Sequence, residues 1–203
     1  MGKKGVFICI EGLDGSGKTT QARLLTRMLS KSYNAIYTAE PSHGKTGTFI
    51  RESCLYEERR LPTAAEALLF AADRIEHIEN EIKPALAEGK LVICDRYIYS
   101  SLAYQGSGGL SLTWIKKINS HALQPDFGIF IDASPERVLE RLERKKSVME
   151  TLEIQQKVRE VYLKFVEKGE LIRIDGDKSK DAVADALCSK VLILLKTGNS
   201  TKK

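Results

Sequence analysis

The fold of this chain is decided by the stretch Ile8-Cys9-Ile10-Glu11-Gly12-Leu13-Asp14-Gly15-Ser16-Gly17-Lys18-Thr19-Thr20-Gln21. Its part from Gly12 to Thr19 fits the pattern G-x-x-x-x-G-K-[ST]. The apolar run at 6–10 before it indicates a buried strand, and apolar side chains at helical spacing follow it. A strand, a glycine-rich loop and a helix in this order form a phosphate-binding P-loop. The alternative is an ordinary glycine-rich turn between a strand and a helix.

The residue types of the loop suit a nucleoside triphosphate. Backbone N–H groups at the start of a helix lack partners and attract anions, and glycines let the backbone approach a phosphate closely. Lys18 is expected to bridge the β- and γ-phosphates of ATP, and Thr19 to ligate Mg²⁺. We expect ATP to contact the whole loop, which consists of Gly12, Leu13, Asp14, Gly15, Ser16, Gly17, Lys18, Thr19 and Thr20.

Composition limits the classes of protein to which the chain can belong. Its 203 residues, of which 42% are hydrophobic and 29% charged, suit one soluble α/β domain. No apolar run approaches the ~20 residues of a membrane span, and the first residues lack the apolar region of a signal peptide. The net charge of +5 decides little between small phosphate-rich ligands and nucleic acid. We expect a cytoplasmic protein that binds neither membranes nor nucleic acid.

The cysteines support the same compartment. They form no C-x-x-C pair, and two of them lie in apolar, strand-like runs. We interpret them as small core side chains in a reducing environment, without a metal site. The four are Cys9, Cys54, Cys94 and Cys188.

Strands and helices alternate along the whole chain. The apolar runs lack a polar/apolar alternation, which is typical of strands buried on both faces. This pattern predicts a P-loop NTPase fold of three layers: a doubly wound, five-stranded parallel sheet with helices on both faces. We expect one domain over residues 1–196, with a short LID at about 141–150, and a disordered tail at 197–203. The predicted strands are 5–11, 35–38, 91–94, 127–132 and 171–174.

A long helix from Thr63 onward carries apolar side chains on more than one face. Thr63 and Glu66 have the spacing of a capping box at its start. Pro84 is expected to kink the helix and Gly89 to end it. The extra apolar face predicts either a contact with a second subunit or an internal core helix.

The rest of the chain selects among the classes of P-loop protein. There is no N-K-x-D stretch, which a GTPase switch needs, and motor or transporter ATPases are usually longer. A small nucleotide-dependent phosphotransferase remains. Such an enzyme needs a second site for the acceptor of the phosphoryl group.

Five separated stretches resemble the thymidylate kinase family and together span most of the chain. The first stretch is the P-loop, and the second is Thr38-Ala39-Glu40-Pro41, followed by Gly47 and 50–52. The third is 69–74 with His77, and the fourth is 95–97 with 100–106. The fifth is 125–132, followed by Pro135, Glu136 and Arg141. The resemblance implies transfer of the γ-phosphoryl group of Mg·ATP to dTMP, and a homodimer. The alternatives are a kinase for another (deoxy)nucleotide or a deoxynucleoside, and a P-loop ATPase that transfers nothing.

The resemblance also implies roles for individual residues. Asp95 follows a buried strand and would hold Mg²⁺, and Arg96 would grip the acceptor phosphate; a helix-capping Asp beside a surface Arg is the alternative. Phe70 would stack on the pyrimidine and Arg74 would donate to a thymine carbonyl. The alternative is a core Phe with an Arg paired to Glu66 or Asp73. The expected acceptor site is Asp14, Glu40, Arg51, Phe70, Arg74, Arg96, Ser101, Tyr104 and Gln105.

The catalytic cation is expected in the LID, where a helix of mixed charge ends in a basic cluster. Phosphoryl transfer needs positive charge beside the migrating group, and family members supply it from the P-loop or from the LID. The P-loop positions here are Gly15 and Ser16, neither of which is basic. The candidates are therefore Arg141, Arg144 and Lys145, in addition to the catalytic residues Lys18, Asp95 and Arg96.

Overall fold

Five parallel strands form the central sheet in a computed structural model, which describes residues 5–55, 61–141 and 151–198. The strand order is β2-β3-β1-β4-β5. Because β1 lies between β3 and β4, the direction of winding reverses there, and the crevice for ligands opens at the carboxyl end of β1. The predicted doubly wound α/β fold is confirmed. The strands are β1 (Val6–Gly12), β2 (Ala35–Ala39), β3 (Leu91–Asp95), β4 (Phe127–Asp132) and β5 (Ile172–Asp175).

Alternate side chains of the strands fill two separate hydrophobic cores. Phe7 and Cys9 belong to the core on one face of β1, whereas Ile8 and Ile10 belong to the core on the other face. Both cores are covered by helices, so β1 carries buried apolar side chains on both of its faces. Cys9 stands opposite Cys94 in the register of β1 and β3. All four cysteines are buried, which fits the predicted small core side chains.

Nine α-helices cover the sheet within the described ranges. None of them is both long enough and apolar enough to cross a bilayer. The last helix runs two residues past the predicted end at Lys196, and residues 199–203 lie outside the described residues. The helices are α1 (Lys18–Leu29), α2 (Lys45–Ser53), α3 (Thr63–His77), α4 (Lys83–Ala87), α5 (Ile98–Ser107), α6 (Leu112–Ile118), α7 (Pro135–Arg141), α8 (Leu152–Glu167) and α9 (Lys180–Gly198).

The start of α2 is set by a residue of α3. The carboxylate of Glu76 accepts hydrogen bonds from the backbone N–H groups of Lys45 (3.0 Å) and Thr46 (2.9 Å), and α2 begins at Lys45. A carboxylate at a helix N-terminus satisfies unpaired donors and favours the helix dipole. Helix α6 ends at Ile118, and a turn follows it.

Helices α3 and α4 are joined by a π-helical turn at Ile78–Ile82. Pro84 lies just beyond it and has no N–H for the regular ladder, so the predicted disturbance takes the form of a wider turn. Gly89, with a φ of 74°, follows the end of α4 as predicted. The predicted capping box is wrong. Pro62 occupies the N-cap position, Thr63 is already helical, and no side-chain hydrogen bond caps this end in the described part of the chain.

Candidate active site

The P-loop connects β1 to the N-terminus of α1. Gly15 and Gly17 have φ values of 84° and 87°, which residues with a Cβ adopt only at a cost. Lys18 is buried and donates to the carbonyl oxygen of Leu13 at 3.1 Å, and its Nζ lies 3.6 Å from Asp14 Oδ1. Burial and the nearby Arg96 lower the pKa of Lys18, and Asp14 opposes this. The loop thus combines helix N–H groups with an ammonium group, which suits a bound phosphate.

Thr19 and Asp95 meet where α1 begins and β3 ends. The Thr19 hydroxyl donates to Asp95 Oδ2 at 2.5 Å, and the Tyr37 hydroxyl donates to the same oxygen at 3.4 Å. The other oxygen, Oδ1, is buried and has no hydrogen-bond partner among the described residues. Hard oxygen donors of this kind suit Mg²⁺, which takes the remaining ligands from phosphates and water. The described residues contain no cluster of three His, Cys, Asp or Glu side chains that could hold a metal by itself.

A second pocket opens beside the P-loop. It includes every predicted acceptor-site residue except Arg51. Aromatic, apolar and charged side chains line it together, which suits a flat ring that carries an anionic group. The lining residues are Asp14, Glu40, Pro41, Leu55, Phe70, Arg74, Arg96, Tyr97, Ser100, Ser101, Tyr104 and Gln105.

Arg96 joins this pocket to the P-loop. Its φ of 70° lies in the left-handed region, which is rare for residues other than glycine. Its guanidinium group forms an ion pair with Asp14, donates to Ser100 Oγ at 3.1 Å and lies 5.1 Å from the Tyr104 ring centre. The Tyr104 hydroxyl accepts a hydrogen bond from the Asp14 backbone N–H at 3.0 Å. Arg96 is therefore held at the border of the two sites, and the surface Arg of the alternative interpretation does not fit.

Arg74 is almost completely buried at the base of the pocket. Its Nη2 donates to Glu40 Oε2 at 2.6 Å, and both Nη atoms lie 3.2 Å from Ser101 Oγ. The ion-pair partner of Arg74 is thus Glu40, and not Glu66 or Asp73 as the alternative interpretation had suggested. Phe70 lies one helical turn earlier on the same pocket wall and is half-buried.

The second oxygen of Glu40 faces His77. Glu40 Oε1 lies 3.3 Å from His77 Nδ1, and the Nε2 atom lies 2.6 Å from Thr38 Oγ1 and 3.4 Å from Glu81 Oε2. Burial would lower the pKa of His77, but Glu40 and Glu81 outweigh it and raise the pKa to about 9. His77 therefore carries a positive charge at neutral pH and helps to neutralise Glu40.

Arg51 does not line the pocket. It donates to the carbonyl oxygens of Pro41 (2.7 Å) and Ser42, and to Thr48 Oγ1 (3.1 Å). A Cβ at Gly47 would lie 2.1 Å from the Ser42 oxygen, so only glycine permits this approach of α2. Arg51 thus holds the loop after Glu40 in place, and its predicted contact with the acceptor phosphate stays a prediction.

Glu11 is a buried acid that the sequence analysis did not select. Its carboxylate accepts hydrogen bonds from the Tyr97 backbone N–H (2.9 Å), Ser100 Oγ (2.6 Å) and the Tyr162 hydroxyl (3.1 Å). Burial raises the pKa of Glu11 to about 7, although these hydrogen bonds oppose the shift. The only signal in the sequence is a charged residue directly after the apolar run at 6–10. Asn119, which contacts Arg74 at the end of α6, gave no such signal.

The predicted catalytic cations lie mostly outside the described residues. Arg141 is the last residue of α7 and is exposed. Arg144 and Lys145 fall in 142–150, together with most of the predicted LID. Ser16, at the P-loop position that carries no charge here, has a buried hydroxyl without a hydrogen-bond partner in the described part of the chain.

A P-loop with a Mg²⁺-compatible pair, next to a pocket for a flat anionic acceptor, defines a nucleoside monophosphate kinase. Residues 10–187 match the profile of the family described as "Thymidylate kinase". The chain therefore belongs to the thymidylate kinase family. It is a phosphotransferase, and its family implies ATP as the co-substrate.

Individual relatives agree with this assignment. A protein of Pyrococcus horikoshii named "Probable thymidylate kinase" is 46% identical over 179 residues, which cover 84% of this chain and 87% of the relative. Proteins of the same name from Staphylothermus marinus and Methanococcus vannielii are 39% and 45% identical. The matches cover 88% of this chain and 90% of the first relative, and 79% of this chain and 78% of the second.

Proposed function

We propose that this chain transfers the γ-phosphoryl group of Mg·ATP to dTMP and produces dTDP and ADP for dTTP synthesis. The observation that carries the proposal is the pocket beside the P-loop, where Phe70, Arg74, Arg96 and Tyr104 meet. These four side chains provide an aromatic face, a donor for a ring carbonyl, a cation for a phosphate and a wall for the sugar. A P-loop ATPase without an acceptor would leave them without a role.

On the donor side, the backbone of 12–20 binds the triphosphate of ATP. Lys18 moves from the Leu13 oxygen to the phosphates, because a phosphate is the stronger partner for an ammonium group. Thr19 and Asp95 are the residues that would hold Mg²⁺. The ion, when bound, neutralises charge on the phosphate oxygens.

On the acceptor side, Arg96 binds the phosphate of dTMP and Arg51 holds the adjoining loop. Phe70 stacks on the thymine ring and Arg74 donates to one of its carbonyls. Tyr104 and Asp14 lie beside the deoxyribose. Glu40, Ser101 and Gln105 complete the pocket around the base.

Catalysis consists of positioning and charge compensation. The acceptor phosphate is already an anion, so the reaction needs neither a general base nor a covalent enzyme intermediate. The candidates for the positive charge that follows the migrating phosphoryl group are Arg141, Arg144 and Lys145. The chain forms a single kinase domain over residues 1–196, with the LID at about 141–150. The closed LID excludes water and suppresses ATP hydrolysis.

The exposed side of α3 supports a homodimer. Leu68 is 50% exposed and Ile75 is 40% exposed, although both are large apolar residues. Ala64 and Ala72 are also exposed at the same helical spacing, and this apolar stripe is unusual on a monomer surface. A second copy of the chain would cover it.

For an enzyme that uses the nucleotide pool, we propose a cytoplasmic location.

A panel of acceptors tests the proposed reaction. We would measure ADP release in a coupled assay with dTMP, dUMP, dCMP, UMP and thymidine at saturating Mg·ATP. The expected result is a clear preference for dTMP. Preference for another acceptor would assign the chain to another nucleotide or nucleoside, and ATP turnover that ignores all five would indicate an ATPase.

A further inference from the structure

Asn119 is a buried polar residue outside the acceptor pocket. It follows the last residue of α6, and only 4% of its surface is exposed. Its Oδ1 accepts a hydrogen bond from Arg74 Nη1, and its Nδ2 donates to the carbonyl oxygen of Ile115 at 2.9 Å. Buried amides are kept where both of their polar atoms have partners, because an unpaired one is costly.

The two hydrogen bonds fix the orientation of the amide. A carbonyl oxygen can only accept, so the group that faces Ile115 must be the NH₂ of Asn119. Arg74 can only donate, so the oxygen of Asn119 must face the guanidinium group. Asn119 therefore presents an acceptor to Arg74 in a defined direction.

Arg74 is held from three elements at once. Glu40 follows β2, Ser101 lies on α5 and Asn119 follows α6, and all three bond to the terminal nitrogens of Arg74. Glu40 and Ser101 line the acceptor pocket, whereas Asn119 lines a separate cavity between α5 and α6. Asn119 therefore holds the guanidinium from outside the lining of the acceptor pocket.

We propose that Asn119 is a positioning residue for base recognition, which keeps the guanidinium of Arg74 directed at the pyrimidine. Since Arg74 can only donate, its orientation favours a ring that offers a carbonyl over a ring with an amino group at that position. Asn119 would thereby set the preference for thymine over cytosine. This inference rests on the proposed use of dTMP.

The test compares Asn119→Ala with Asn119→Asp. Alanine removes the oxygen that Arg74 uses. Aspartate keeps an oxygen at Arg74, but it adds a negative charge there and replaces the N–H donor to Ile115 with a second acceptor oxygen. Ser120→Ala is the matched control, because Ser120 is the adjacent residue, is exposed and lines the same cavity. Calorimetry would give the dissociation constants of dTMP, dCMP and ATP for each protein, after circular dichroism has established folding.

Asn119→Ala is expected to raise the dissociation constant of dTMP about tenfold, the scale of one hydrogen bond, and to leave those of dCMP and ATP unchanged. Asn119→Asp and Ser120→Ala should keep the wild-type preference for dTMP over dCMP. If Asn119→Ala does not fold, Asn119→Ser takes its place, because its hydroxyl is too short to reach Arg74 in the same way.

Two results would overturn the inference: an unchanged preference in the alanine or serine variant, or an equal loss of all three ligands in the alanine and aspartate variants. The second result would mean that Asn119 only ends α6. A wild-type protein that does not bind dTMP would instead refute the proposed function. The two failures are therefore distinguishable.

Discussion

Glu40 Oε2 and Arg74 Nη2 lie 2.6 Å apart, and both side chains are almost completely buried. Removal of one partner from such a pair leaves the other charge buried without compensation, which typically costs several kcal/mol. His77 shares Glu40 and reduces this cost. Any variant of Arg74 therefore has to separate an effect on the acceptor from an effect on the fold.

Arg74→Ala should lower kcat/KM for dTMP by about 100-fold and change KM for ATP by less than about threefold, because Arg74 lines the acceptor pocket and is not part of the P-loop. Steady-state kinetics with each substrate varied in turn would measure this. The double variant Arg74→Ala with Glu40→Gln removes the unpaired charge and serves as the folding control. Equal losses for both substrates would contradict the role in base recognition.

Lys18→Ala should reduce phosphoryl transfer at least about 1,000-fold, because Lys18 is the P-loop cation that the β- and γ-phosphates need. Binding of dTMP, measured by calorimetry, should remain within a few fold of wild type. Because the substitution removes the buried Nζ and leaves a small gap beside Leu13, the melting temperatures of the variant and the wild type have to be compared as well. Substantial residual transfer would refute the P-loop assignment.

The catalytic cation can be found by substitution of three residues in turn. Arg141→Ala, Arg144→Ala and Lys145→Ala remove one charge each from the segment at the end of α7. The residue that stabilises the transition state should lower kcat by about 100-fold or more with little change in either KM, because it acts only as charge develops. Three variants with wild-type kcat would place the catalytic cation elsewhere in the chain.

The stability of Glu11→Gln relative to the wild type should be greater at high pH than at low pH. The pKa of Glu11 is raised from 4.5 to about 7, so its protonated form fits the fold better than its charged form. Wild-type stability is therefore lost as the pH rises from about 4.5 through 7, by up to about 3 kcal/mol for a shift of this size. Glutamine stays neutral and escapes this loss.

Urea unfolding of both proteins between pH 4 and pH 8 would measure the effect. The pKa of His77 is raised from 6.5 to about 9, which gives both proteins a further loss of stability above pH 6.5. This loss cancels in the difference between the two free energies of unfolding. A difference that stays constant with pH would mean that Glu11 is not the titrating group.

Leu68→Glu should convert the expected dimer into a monomer, because it places a charge in the apolar stripe of α3. Light scattering after gel filtration would report the mass. Ile193→Glu is the control, since Ile193 on α9 is 56% exposed and lies outside the stripe. A wild-type monomer, or dissociation by both variants, would refute the proposed interface.

The parts of the molecule that depend on local patterns could be predicted from the sequence. The P-loop, the strands and the pocket residues lie in contiguous motifs. The parallel direction of the strands follows from their alternation with helices. The parts that depend on distant partners could not. The start of α2 is set by Glu76, the partner of Arg74 is Glu40, and the amide of Asn119 reaches Arg74 across 45 positions.

The capping box at Thr63 failed for a different reason. A local motif describes what a helix end can do, and here the preceding proline already occupies the N-cap position. Glu11 and Asn119 show the same limit for the site. Each is a single polar residue whose importance depends on what the fold brings against it.

The π-helical turn at 78–82 separates two registers in one helix. Before it, Arg74 lines the acceptor pocket and His77 contacts Glu40. Ile82, the last residue of the turn, and Ala85 beyond it belong to the core. An α-helix turns about 100° per residue, so deletion of a single residue from this turn would rotate one half against the other by that angle. Either the charge network or the packing would then be lost. The length of this segment is therefore as constrained in evolution as the identity of its residues, and we expect insertions and deletions among relatives to avoid it.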